Sequence, residues 1–129
     1  MLENRGLAGK LPEELSYLSS LKVLELAQNK LTGQIPPELG SLNNLEVLSL
    51  AHNFFDSTIP ANVFGLASVE SLNLSNNKFT GQIPSFRSIN LNTKELDVSS
   101  NLLTGNFPTA LNLFTNLGKE LTERKQTLS

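Results

Sequence analysis

The sequence predicts an α/β repeat solenoid, in which short strands stack into a parallel sheet and return through mostly 3₁₀-like or irregular segments. Three observations predict it. The stretch LELAQNKLTGQIP at residues 24–36 returns as LSLAHNFFDSTIP from Leu48, LNLSNNKFTGQIP from Leu72 and LDVSSNLLTGNFP from Leu96, offset by 24 residues each time. Leucines alternate within each copy, as Leu24/Leu26, Leu48/Leu50, Leu72/Leu74 and Leu96 with Val98. An asparagine (Asn29, Asn53, Asn77, Asn101) and a proline (Pro36, Pro60, Pro84, Pro108) recur in phase. A fixed period of this size marks units that bury their apolar faces only by stacking.

A partial copy precedes these four. Leu2 matches Leu26, Leu7 matches Leu31, Gly9 matches Gly33, and Leu11-Pro12 matches Ile35-Pro36, while Arg5 stands where the asparagine belongs. The chain thus enters inside a repeat with no polar cap before it, so we expect a segment of a longer array.

Each repeat has three zones. The alternating leucines read as a half-buried strand, and parallel copies one repeat apart stack about 4.8 Å from one another. At the turn, each asparagine amide can bond local and neighbouring backbone, which makes Asn29, Asn53, Asn77 and Asn101 a structural ladder. In the third zone Ile35, Ile59, Ile83 and Phe107 are expected to point inward, held extended by the proline that follows. Gly33, Gly81 and Gly105 suit a tight bend, with Ser57 in the glycine's place in one copy.

The return paths space apolar residues by three: Leu39, Leu42, Leu45; Val63, Leu66, Val69; and Leu111, Phe114, Leu117. That spacing suits a short 3₁₀ segment. Between Pro84 and Leu96 the expected positions hold Arg87, Asn90 and Thr93, while Phe86 and Ile89 come one place early, which predicts a local rephasing without an insertion. After Leu117 the pattern stops. We expect one domain over 1–129, about five coils spanning roughly 2–117, with 118–129 a polar tail that either frays or lays Leu121 and Leu128 over the last coil.

Composition narrows the function classes. In 129 residues, 10 Lys plus Arg stand against 12 Asp plus Glu, a net charge of -2. This offers no basic stripe for nucleic acid. Without cysteine there are no disulfides, thiol nucleophiles or thiolate metal sites. No apolar run is long enough to span a membrane, and no secretory signal is visible at the N-terminus.

The pattern LxxLxLxxNxLxGxIP, clearest at Gly33-Gln34-Ile35-Pro36 and Gly81-Gln82-Ile83-Pro84, resembles plant-type leucine-rich-repeat proteins over roughly residues 2–117. Ectodomains of receptor-like kinases, receptor-like proteins and polygalacturonase-inhibiting proteins share it. The resemblance implies a right-handed superhelix with its sheet on the concave face, a second short sheet near the LxGxIP segment, and recognition of a peptide, hormone or protein in signalling or defence. It also implies an extracellular or cell-surface setting. Family ectodomains commonly carry cysteine-containing caps, and none stands here, so the chain reads as a remnant, an excised fragment or an engineered segment.

On such a solenoid the open face presents Val23, Val47, Ser71 and Glu95, and beside them Glu25, Ser49, Asn73 and Asp97. Ala27, Ala51, Ser75 and Ser99 follow as small residues that let a partner approach. Gln28, His52 and Asn76 come next at the turn. The resemblance carries the docking role to this face, which is polar, slightly acidic and apolar at Val23 and Val47. It holds no Trp, Tyr or Arg of the kind that anchors interfaces.

No catalytic, cofactor or metal set emerges. His52 is the single histidine, with Gln28 and Asn76 as its nearest candidates for contact. Glu25 and Asp97 lie three coils apart, about 14 Å by strand spacing, beyond the roughly 6.5–9.5 Å of an inverting glycosidase pair. Asn73-Leu74-Ser75 is the one glycosylation sequon, placed on the open face, and we expect it to be unused because a glycan there would obstruct docking.

The sequence therefore points to a non-catalytic module that binds a protein or peptide. Its rival is self-association through unsealed solenoid ends. Enzymatic activity and ice binding, the latter known among related repeats, are more remote. Ice binding wants a flat Thr or Asn array, which the mixed column Glu25, Ser49, Asn73, Asp97 does not supply.

Overall fold

The computed structural model of the chain describes residues 2–83 and 93–105. In chain order these form β1 (Ala8–Lys10), a 3₁₀ turn (Glu13–Tyr17), β2 (Val23–Glu25), β3 (Lys30–Gly33), a second 3₁₀ turn (Pro37–Ser41) and β4 (Val47–Ser49). Then come β5 (Phe54–Phe55), the one-turn helix α1 (Ala61–Phe64), β6 (Ser71–Asn73) and β7 (Glu95–Asp97).

The alternating leucines make a parallel sheet in the order β2-β4-β6-β7. Leu24 pairs with Leu48, Leu48 with Leu72, and Leu72 with Leu96, so the register equals the sequence period. The ladder runs past the strands: Leu26 N–H donates to the Ser49 carbonyl at 2.9 Å and Gln28 N–H to that of Ala51 at 2.9 Å. The partial first copy joins in the same way, with Leu2 N–H on the Glu25 carbonyl and Asn4 N–H on that of Ala27.

A second parallel sheet, ordered β1-β3-β5, flanks the first. Its pairs, Ala8 with Lys30 and Thr32 with Phe54, lie 22 residues apart, as does the isolated bridge of Thr58 with Thr80. The second sheet is therefore sheared by two residues per coil relative to the repeat. An even shift keeps each side chain on its own face, so Leu31 and Phe55 still point inward.

The interior is a series of aligned columns. Ile35, Ile59 and Ile83 are buried, as are Leu39, Leu42, Leu45, Val63, Leu66 and Val69 on the return paths. Phe55 and Phe79, fully buried in successive coils, lie nearly parallel at 4° with ring centroids 6.0 Å apart. The expected bends are present: Gly33, Gly81 and Gly105 have φ of +83°, +80° and +80°, and Ser57 takes the same left-handed conformation at +66°.

One return path departs from the expected 3₁₀ form. Residues 61–64 close a single α turn, which buries the adjacent pair Val63 and Phe64, whereas the preceding coil has Gly40 where Phe64 stands. The Asn62 amide lies against Gly40 and donates to the Pro37 carbonyl at 2.7 Å.

Thr93 fills the place of Leu45 and Val69 in the irregular copy; it is buried, and its hydroxyl donates to the Val69 carbonyl at 3.3 Å. The expectations for Pro84, Phe86, Arg87, Ile89, Asn90, Phe107, Pro108, Leu111, Phe114, Leu117, Leu121 and Leu128 lie outside the described residues.

Candidate functional site

Strand alternation turns the leucines inward and leaves the residues between them on the outer face of the β2-β4-β6-β7 sheet. Val23 and Glu95 are exposed there, and Val47 and Ser71 are half-buried. Glu25, Ser49, Asn73 and Asp97 are all half-buried in the neighbouring column. Because the register is a whole repeat, both columns run straight from coil to coil. Ser71 Oγ donates to Glu95 Oε2 at 3.3 Å across one such step.

The next column corrects the sequence reading. Ala51, Ser75 and Ser99 are buried, and Ala27 is half-buried, so these small residues offer little surface to a partner. Their size serves the turn. Ser75 N–H and Oγ both donate to Asn73 Oδ1, at 3.0 and 2.7 Å. Ser99 N–H and Oγ likewise donate to Asp97 Oδ1, at 2.9 and 2.6 Å. These local turns fix the outward side chains of Asn73 and Asp97 before any partner arrives. They also engage the Asn73 sequon, whose serine is covered.

Gln28, His52 and Asn76 are exposed at the turn, each with positive φ (+59°, +56° and +57°); Ser100 shares that conformation. Left-handed backbone excludes β-branched residues and favours short polar ones. Sequence reasoning assigned this column to docking and missed the backbone reason for its polarity, although recurrence of polar residues just before each asparagine was a signal for it. His52 Nε2 lies 3.4 Å from Asn76 Nδ2, one of the two neighbours expected for it.

The asparagine ladder lies directly beneath. Asn53 Oδ1 accepts from Leu31 N–H, Asn77 Oδ1 from Phe55 N–H and Asn101 Oδ1 from Phe79 N–H, at 3.0 to 3.1 Å. Each reaches back 22 residues, the displacement of the second sheet, so these amides join the two sheets. In the partial first coil Asn29 Oδ1 takes both Arg5 N–H and Leu7 N–H, so Arg5 needs no amide of its own there.

Electrostatically the face is acidic. Partial burial raises the Glu25 carboxyl above its ordinary value of 4.5, and the hydrogen bond and repulsion from Glu3 raise it further. Among the described residues no group of three or more His, Asp or Glu side chains is arranged to hold a metal ion. The geometry suits shape and hydrogen-bond recognition. Sequence reasoning also passed over Phe54, which stands 48% exposed on the flank beside its buried neighbour Phe55. An aromatic pair in a strand places one ring out.

Known proteins agree with this geometry. The leucine-rich-repeat family matches residues 19–79, and a second leucine-rich-repeat family matches residues 92–114, together more than half of the chain. Among curated proteins none matches. The chain is similar to the BIR2 ectodomain from Arabidopsis thaliana, with 37% identity and a TM-score of 0.80 over 86% of this chain and 58% of that one. It is similar to the ectodomain of the receptor kinase SOBIR1 from Arabidopsis thaliana, with 34% identity and a TM-score of 0.79 over 89% and 63%. A chain in the structure of the Arabidopsis receptor kinase HAESA with the peptide hormone IDA and the co-receptor SERK1 matches at 33% identity and a TM-score of 0.78, over 85% and 18%. In each case this chain spans less than two thirds of the solved one. A 24-residue register, an inter-coil asparagine ladder and these similarities converge: the chain belongs to the leucine-rich-repeat family, in its plant type.

Proposed function

We propose that the chain is a non-catalytic recognition module, part of a receptor-type ectodomain, that binds a peptide or protein on the outer, concave face of its four-stranded sheet. Residues 2–117 act on this reading as one domain of about five coils. The observation that carries it is the straight double column of outward side chains, with Asn73 and Asp97 held in place by Ser75 and Ser99. Preorganised polar groups lose little entropy when a ligand arrives. The HAESA structure, a complex with a peptide hormone and a co-receptor, supports the reading.

Selection of displayed random peptides on the immobilised chain tests it, with the Glu25→Lys plus Asp97→Lys variant in parallel. Recovered peptides should bind the variant at least about tenfold more weakly, as expected on reversing charges central to an interface. Equal binding to both proteins would reject the face.

Self-association is a second reading, favoured by apolar exposure on the first coil, where Tyr17 is 78%, Leu18 52% and Leu2 50% exposed. A mass in solution that stays monomeric at tens of micromolar counts against it.

A further inference from the structure

The face of the four-stranded sheet changes character along the solenoid axis. Its two outward columns hold Val23 with Glu25, Val47 with Ser49, Ser71 with Asn73, and Glu95 with Asp97. Because the register of this sheet equals the repeat, the four pairs stand in line across the strands. One end is apolar: Val23 is 41% exposed, and half-buried Val47 lies beside it.

The other end is a pair of carboxylates on one strand. Glu95 is exposed and Asp97 half-buried, about 6.6 Å apart by the rise of two strand residues. Neither has an ion pair among the described residues, and the adjacent Lys94 is engaged by Glu70 at 3.6 Å. Ser99 N–H and Oγ take one Asp97 oxygen, and the other has no hydrogen-bond partner among the described residues. Neither column holds a lysine or arginine, and Glu25 keeps the apolar end negative as well.

Resting on the sheet face as the docking site, we infer that its ligand is an extended peptide running across the strands, with an apolar side chain over Val23 and Val47 and an arginine four residues away over Glu95 and Asp97. The midpoint of the valine pair lies two and a half coils from the last strand, about 12 Å at about 4.8 Å per coil. Four residues of extended chain cover about 13 Å, and an even separation keeps both side chains on one side of the ligand. The planar guanidinium can donate to both carboxylates at once. Between the ends, Ser49, Ser71 and Asn73 offer hydroxyls and an amide to the backbone of an extended chain, whereas a helix has already paired its own.

The test uses labelled peptides of about nine residues, otherwise Gly and Ser, with a leucine and an arginine four apart in either order. Fluorescence anisotropy should show binding of at least one order, weakening with salt. Moving the pair to a separation of three, replacing arginine by citrulline, or replacing the leucine by serine should each cost at least about tenfold in affinity. So should Glu95→Gln plus Asp97→Asn, and Val23→Thr plus Val47→Thr, with thermal melts to establish that both variants fold. An asparagine at 97 can keep the turn with Ser99, as Asn73 does with Ser75. The citrulline peptide on Glu95→Gln plus Asp97→Asn should bind no more weakly than either change alone allows, which ties the arginine to those two carboxylates. No binding by either order, indifference to the separation, additive losses, or tighter binding of a stapled helix would overturn the inference. Selected random peptides that depend on Glu25 and Asp97 but lack this pattern would overturn it and leave the docking face standing. If no peptide depends on that face, both fall.

Discussion

Asn53 Oδ1 accepts a 3.0 Å hydrogen bond from the backbone N–H of Leu31, one coil away. Its Nδ2 donates to the Leu26 carbonyl of that coil and the Leu50 carbonyl of its own, at 2.9 and 3.1 Å. One buried amide thus satisfies backbone groups that neither sheet ladder reaches.

Asn53→Ala should therefore be costly. Each orphaned buried group is worth about 1–3 kcal/mol, so the loss should be about 3 kcal/mol or more. Asn29→Ala should cost less, since most of its partners are only partly buried and water can replace the amide. Urea unfolding of the two variants checks the ranking, and equal losses would contradict it.

Ser57 and Gly81 occupy the same bend at φ of +66° and +80°. An L side chain in that region costs on the order of 1 kcal/mol, so Ser57→Gly should be neutral or stabilising by up to about 1 kcal/mol, allowing for glycine's own entropy cost. Gly81→Ala should destabilise by about 1–2 kcal/mol, because its new Cβ would also stand 2.8 Å from Thr58 Cγ2. Thermal melts of both variants give the signs directly.

Gly40 and Asn62 form a coupled pair on the return side. A Cβ on Gly40 would lie 2.5 Å from the Asn62 amide carbon. Gly40→Ala should displace that amide from the Pro37 carbonyl and cost about 1 kcal/mol. With Asn62→Ala already in place the same change should cost little, or stabilise. A double-mutant cycle that turns out additive would exclude the coupling.

The raised Glu25 carboxyl sets a pH dependence. Because the folded state holds this proton more tightly than the unfolded chain does, stability falls as pH rises from the ordinary value of 4.5 through the raised one. Glu25→Gln should flatten that decline and leave the chain more stable than the parent at neutral pH. Melts recorded from pH 4 to pH 7 compare the two slopes.

Much of the architecture was legible in the chain. The alternation at Leu24/Leu26 named the buried face, and the 24-residue offset named its partners Leu48, Leu72 and Leu96. The recurrent asparagines were legible as a ladder because a buried amide is the economical answer to a backbone that leaves its strand at the same point in every coil. The outer columns of the candidate site followed from the same alternation. Ala51, Ser75 and Ser99 were misread, since continuing that alternation past the strand ignores the left-handed residues His52, Asn76 and Ser100 that turn the chain inward.

By itself, then, the sequence determined the repeat, the register of the first sheet and the columns that fill the interior, because side-chain period and repeat length follow from spacing alone. Tertiary structure decided the rest: the two-residue shear of the second sheet, the single α turn at 61–64, the closing of small residues beneath Asn73 and Asp97, and the outward placing of Phe54 beneath Lys78. These depend on how one coil leans on the next. A periodic sequence says that all coils are alike, and only their contact fixes the angle and offset at which they meet.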